Sequence, residues 1–370
     1  MLTGPNGILT QANIAKEKTN LAEEEELRKL TQQEAAMNLE NTTYTDKSTG
    51  EEKTVIIPAG FAISQVEGEN TIEDGLVIID KNGNEFVWVP VKDINDMAQC
   101  SIAGGNCNLK LENNQLVCKT EGHNNNIEIV GKLYATSTGE NFGEVNTSYS
   151  QDSGLREPAI LSRYDNNTTD YNTIGLELED LKNEYREMAK SVAKYKGFYV
   201  GRYETSLSDA TTTSSGTSGN VQSKQGVMPV TTSNSATSTW YGLYDKSKKY
   251  TTEEYNSVQS SMIWGSQYDV ILNWALTGKD KQKVTKVGIG NNDSEGITVC
   301  GDEKYVDDNI NNIRDLGGNI NEITLEAYSD SNRVIRGGRF NNSKSPSIRG
   351  GNLPYVESDY VGSRLTLYIK

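Results

Sequence analysis

The chain of 370 residues contains one histidine, His123. A single imidazole excludes multi-histidine metal centres and any relay that needs a second histidine. His123 sits in the polar run EGHNNN and reads as an exposed side chain. Cysteine is also scarce. Cys100, Cys107 and Cys118 cluster, Cys300 stands far off, and no CxxC pair is present. That spacing argues against a zinc site and for a local disulfide within 100–118 in an oxidising compartment. No run approaches the roughly 20 apolar residues that cross a bilayer, and no secretory signal is visible. The chain as given therefore reads as soluble. Basic residues are outnumbered 36 to 51, for a net charge of −15. This speaks against a nucleic-acid partner, because phosphate binding needs a basic face. Nor is there an EF-hand-like spacing. No cofactor is expected, and calcium is left open.

Polar aromatics and small polar residues take the place of what is missing. Tyrosine outnumbers phenylalanine 19 to 5, glycine numbers 34, and only 35% of residues are hydrophobic. Such a mix suits either a loop-rich extracellular protein or a paratope-like surface. Residues 6–38 read as one helix, capped by Asn6, with Ile8, Ala12, Ala15, Thr19 and Ala22 along one face. From Val55 the pattern becomes β, with a hairpin turn at Asp80-Lys81-Asn82-Gly83. Residues 93–165 read as a polar insertion. A helix is expected over 176–194, with Leu178, Leu181, Tyr185, Met188 and Val192 inward, followed by a strand at 197–206. The Ser/Thr-rich segment 206–238 reads as a flexible surface loop. A second helix is expected around 253–276. Its Trp264, Tyr268 and Trp274 have core spacing, with a ligand cage as the alternative.

The first 40 residues carry a resemblance. LTGPNGILTQANIAKEKTNLAEEEELRKLTQQEA is similar to the segment that follows the membrane helix in Gram-positive type IV pilin-like proteins. The family's cleavage site and hydrophobic helix are not present; the resemblance implies that Met1 replaces them and that the helix could meet pilus subunits. The other reading is a helix packed on the following domain.

The second half carries a broader one. GFYVGRYETS (197–206), GVMPV (226–230), MIWGSQYDVILNWAL (262–276), DLGGNINEIT (315–324), RVIRGGRF (333–340), SIRGG (347–351) and VGSRLTLYIK (361–370) follow the motif order of the formylglycine-generating-enzyme superfamily. The implied fold is an α+β, C-type-lectin-like domain over 41–370. Its implied framework is Asp315, Gly318, Asn319, Arg336, Gly337, Gly338, Gly362 and Arg364. The glycines of DLGGN suit turns with positive φ. Arg336 and Arg364 are candidates to pair with buried acids such as Asp315 or Glu322, a structural role favoured over ligand contact.

Departures from that family bear on function. Its oxidases need two C-terminal cysteines, yet no cysteine or histidine lies between Arg333 and Lys370. Ile323 stands where a tryptophan is expected and Ser363 where a phenylalanine is expected. A noncatalytic role is the expectation, since a fold does not fix a function. The variable proteins of diversity-generating retroelements share this fold and bind through a C-terminal stretch framed by RGG and G-[FS]-R. The corresponding run here is 339–360. It reads either as an ordinary polar loop or as a ligand surface built from Arg339, Phe340, Asn342, Lys344 and Ile348, continuing through Asn352, Leu353, Tyr355, Glu357 and Asp359. The flanks carrying Val334, Ile335, Leu365, Leu367 and Ile369 should be buried strands, with loops rather than ladder pairing between them. The resulting expectation is a surface-displayed, adhesin-like protein whose partner is a protein or glycan on another cell or particle. The rivals are an enzyme of the same superfamily with an unforeseen centre and a purely structural pilus subunit.

Overall fold

A computed structural model describes residues 8–100, 108–118, 128–134, 174–250, 255–292, 295–328 and 332–370. His123 and Cys107 lie outside these residues, as does much of the expected insertion. The chain is mixed α+β. Four α-helices are described: α1 (Ile8–Met37), α2 (Leu178–Tyr195), α3 (Thr239–Lys249) and α4 (Gly265–Leu276). Among the described residues no helix is long and apolar enough to cross a membrane.

A six-stranded antiparallel sheet forms the centre. Its spatial order is Val258–Met262, Leu365–Ile369, Gly197–Gly201, Glu85–Pro90, Val77–Asp80 and Phe61–Ile63. The last strand of the chain thus sits inside the sheet, so residues 315–362 must leave the sheet and return. Strands with alternating or continuous Val, Ile and aromatic residues suit a buried pleated surface, and Phe198, Tyr199, Val200, Leu365 and Leu367 are fully buried. The DKNG turn forms as expected: the Asp80 carboxylate accepts from the backbone N–H of Asn82 and Asn84, both at 2.8 Å, and Gly83 has φ +80°.

A second sheet of four strands carries the C-terminal region. Its order is Arg349–Asn352, Arg333–Arg336, Asn321–Ala327 and Val361–Gly362, the last pair being parallel. Helix α2 buries Leu181, Tyr185, Met188 and Val192, as its 3.6-residue spacing predicts, whereas Leu178, also expected inward, is half-buried at its first turn. Trp264 and Tyr268 are core, whereas Trp274 is half-buried.

Several expectations are corrected. The helix expected over 253–276 divides into the strand Val258–Met262 and α4, because Val258–Met262 pairs with Leu365–Ile369 in the central sheet and the helix begins only at Gly265. Segment 206–238 is not a free loop. Val221–Ser223 pairs with Thr205–Leu207, and the Asp209 carboxylate collects the N–H groups of Thr217, Ser218 and Gly219, each at 3.0 Å. The expected insertion also has an apolar side, since Leu109, Ile129, Val130 and Leu133 are buried. Cys100 is disulfide-bonded, and Cys300 is a buried thiol. The stripe of Ala12, Ala15, Thr19 and Ala22 on α1 is exposed, but the last turns of the helix are docked. Thr31 and Ala35 are fully buried, and the Asn38 amide donates to the carbonyls of Pro58 and Phe61.

Candidate functional site

The C-terminal run is held from below by buried charge. Asp269 on α4 is fully buried and receives Arg336 Nη1 at 2.9 Å, Arg349 Nη2 in a shorter contact, and the Tyr134 N–H at 2.9 Å. Arg349 also reaches Glu326 at 3.0 Å and donates to the Tyr134 carbonyl at 2.5 Å. Removing such charges from water costs several kcal/mol per ion, so each must find opposite charge or hydrogen bonds. The acids beside Arg349 hold its guanidinium above the usual range against burial, the largest effect. Arg336 lies 4.4 Å from the Tyr268 ring centroid, and Arg333 lies 4.4 Å from that of Trp240. Arg336 pairs with Asp269 rather than with Asp315 or Glu322; although Glu322 stands opposite it in the ladder, the Glu322 carboxylate is taken by Arg364. Arg364 does meet Glu322, with Nε at 2.9 Å from Oε1, and its Nη1 donates to the Gly201 carbonyl.

A second buried group ties the DLGGN turn to the centre. Asn319 has φ +58° and donates to Glu204 at 2.6 Å, while its Oδ1 accepts from the Thr298 N–H. Glu204 is pushed well above the carboxylate range by burial, then by Asp315 and Glu322. Asp315 takes φ +61° and accepts from the Gly301 N–H at 2.6 Å. Positive φ in DLGGN thus falls on Asp315 and Asn319, residues that tolerate it, and not on the glycines. Gly317 and Gly318 serve close approach instead: a Cβ on Gly318 would stand 2.5 Å from the Asn291 carbonyl oxygen. In RVIRGG the glycines do bend the chain. Gly337 and Gly338 have φ +82° and +84°, and Cβ atoms there would meet Leu316 O at 2.6 Å and Lys344 Cβ at 2.7 Å. Gly362 likewise abuts Ile320.

On this frame the run 339–360 divides. Arg339, Phe340, Ile348, Asn352, Leu353 and Tyr355 are half-buried, and Asn342, Lys344, Glu357 and Asp359 are exposed. Ser345, Ser347, Arg349 and Pro354 are buried among them. Contrary to the expectation of loops throughout, Arg349–Asn352 joins the ladder: Gly350 stands opposite Ile335 and Gly351 opposite Val334. Arg339 lies 3.5 Å over the ring of Tyr360 and donates to Asn341. That cation holds the Tyr360 phenol below its usual range. Tyr360 is 37% exposed and Tyr328, beside Gly351, is 41% exposed. Both belong to this surface and were missed: Tyr360 adjoins the end of the expected set, and Tyr328 lies on a different turn of chain. The Phe340 N–H donates to Asn319 O, and Glu357 accepts from Ser238, so both ends of the run are tied to the frame.

No protein-family model matches the chain, and no curated protein does. Two solved structures show limited likeness. Treponema denticola variable protein 1 is 13% identical, covering 47% of this chain and 85% of its own, with a TM-score of 0.32. PvdO from Pseudomonas aeruginosa is 14% identical, covering 47% of this chain and 82% of its own, with a TM-score of 0.33. Likeness at this level assigns neither fold nor function.

Proposed function

We propose that the chain is a noncatalytic ligand-binding protein with a C-type-lectin-like domain, and that its contact surface is the outward part of residues 339–360. One observation carries the reading. Arg333, Arg336, Arg349 and Arg364 are buried against acids or rings, while all ten residues expected to bind stand half-buried or exposed between them. Rigid support under a mixed aromatic and charged surface suits recognition, because little side-chain freedom is lost in the frame on binding. Phe340, Leu353 and Tyr355 supply apolar anchors, rimmed by Lys344, Glu357 and Asp359. The ligand is a protein or glycan presented outside the cell. Display through α1 accords with the exposure of its residues 11–26.

The test is a screen of immobilised protein against extracellular proteins and glycans, followed by Phe340→Ala and Tyr355→Ala. Loss of binding with an unchanged fold supports the assignment; binding unaffected by either substitution overturns it. Incubation with a cysteine-containing sulfatase-type peptide and copper should yield no aldehyde, and steady turnover would restore the enzymatic rival.

A further inference from the structure

Arg336 and Glu322 stand opposite each other in the ladder between Asn321–Ala327 and Arg333–Arg336, so their side chains leave the sheet on the same face. Both are fully buried, and each is paired elsewhere. Arg336 gives Nη1 to Asp269, and Glu322 accepts Arg364 on Oε1. The other edge of the Arg336 guanidinium, Nε and Nη2, donates to no protein atom, and Glu322 Oε2 accepts from none. The two residues do not close on each other: no Arg336 nitrogen lies within 4.0 Å of a Glu322 oxygen. Yet they share their surroundings. The Arg336 guanidinium covers the Tyr268 ring at 4.4 Å. Burial raises the Tyr268 phenol first, and among the charges Glu322 acts on it most strongly, with Arg336 next.

We propose that one buried water molecule bridges the free edge of Arg336 to Glu322 Oε2. A buried donor or acceptor without a partner carries the full cost of its desolvation, and more so when charged. The Nε–H and the neighbouring Nη–H of a guanidinium point the same way, as a fork. Whatever meets that fork must accept hydrogen bonds, and whatever meets Glu322 Oε2 must donate one. Water does both through a single oxygen, whereas a simple anion cannot donate and a metal cation cannot accept. A buried water needs two to four polar partners, and Nε, Nη2 and Oε2 supply three. Opposite charges on neighbouring strands that stay beyond about 3.5 Å are where water mediates a polar contact. Arg336 immediately precedes the Gly337–Gly338 bend. The water thus braces the foot of that bend on the side that Asp269 leaves open.

The experiment uses the full chain and water itself as the probe. A crystal structure should place a solvent peak at about 2.5–3.2 Å from Arg336 Nε or Nη2 and from Glu322 Oε2. In solution, with isotope-labelled arginine, the Arg336 Nε–H should give a ROESY cross-peak to water, opposite in sign to chemical exchange. Glu322→Gln keeps the shape and can keep its carbonyl on Arg364, but it turns an amide NH2 toward the water, which then lacks an acceptor. The cross-peak should be lost in that variant while the backbone spectrum keeps the parent's dispersion. If Glu322→Gln fails to fold, the crystal and the spectrum of the parent still decide. The proposal is overturned by a direct Arg336–Glu322 contact, by the lack of a solvent peak within reach of both residues, or by a cross-peak that folded Glu322→Gln leaves unchanged.

Discussion

Replacing Asp269 by alanine removes the one carboxylate shared by Arg336 and Arg349. Both guanidiniums are essentially buried, with side-chain exposures of 0% and 3%, and Asp269 itself is fully buried. Glu326 would remain for Arg349, but Arg336 would keep no direct ion pair, only the face of Tyr268 and the more distant carboxylates of Glu322 and Glu326. Breaking a buried pair by removing one partner costs about 3–5 kcal/mol, a large share of the roughly 5–15 kcal/mol that holds a domain folded. For a chain of this size that corresponds to a fall in melting temperature of about 4–6 °C. The Tyr134 N–H loses its acceptor as well, so the upper end of that range is expected. Circular dichroism melts of the parent and variant measure the change. A triple replacement, Asp269→Leu with Arg336→Met and Arg349→Met, should recover much of the loss, because apolar substitutes need no partner. A melting temperature for Asp269→Ala within about 1 °C of the parent would refute the view that buried charge supports the C-terminal surface.

The remaining predictions follow from other parts of the same fold. Phe340→Ala and Tyr355→Ala should each change stability by less than about 1 kcal/mol, since both are half-buried, while removing about 1–3 kcal/mol of ligand binding; calorimetry of folding and binding separates the two. Deleting residues 1–20 should leave the melt unchanged, whereas Arg28→Ala should cost about 1–3 kcal/mol by leaving Glu69 and Glu85 with Arg202 alone. Equal effects of the two changes would contradict the docking of α1 through its last turns. Asp209 is held down to about 2, first by the N–H of Thr217 and then, against desolvation, by those of Gly219 and Ser218. A depressed carboxyl contributes stability that is present above its unfolded value near 4 and lost as pH falls through about 2. An NMR titration of the Asp209 carboxyl should therefore show its midpoint near that value, and a midpoint at the unfolded value would undo the turn's assignment.

Much of the frame could be read from the sequence where the signal is local. The turn at 80–83 and most of the apolar face of α2 depend on residues close together in sequence. Arg364 and Glu322 were also legible as a pair, since both fall in ordered motifs. Asp269 was not, because it lies 67 residues from Arg336 and 80 from Arg349 in sequence, and only packing brings them together. The strand Val258–Met262 was hidden by Ser260 and Ser261, polar residues that are buried; Ser261 meets Glu184. The Ser/Thr-rich segment misled for the same reason: Thr232 and Thr237 are buried and satisfied by Ser358 N–H and Thr231 O. Composition reports polarity, not whether hydrogen bonds are met inside the fold. Helix α3 went unread because Trp240, Tyr241 and Tyr244 do not favour helix on their own and owe their state to burial.

The central claim is that residues 333–364 separate into a fixed frame and a free surface. Saturation mutagenesis of that segment, sorted by protease resistance of the displayed protein, tests it most directly. Broad tolerance is expected at Arg339, Phe340, Asn342, Lys344, Asn352, Leu353, Tyr355, Glu357 and Asp359. Near-complete intolerance is expected at Arg336, Gly337, Gly338, Arg349, Gly362 and Arg364. Uniform sensitivity along the segment, or tolerance at Arg336 and Arg349 with failure at Phe340 and Tyr355, would contradict the account.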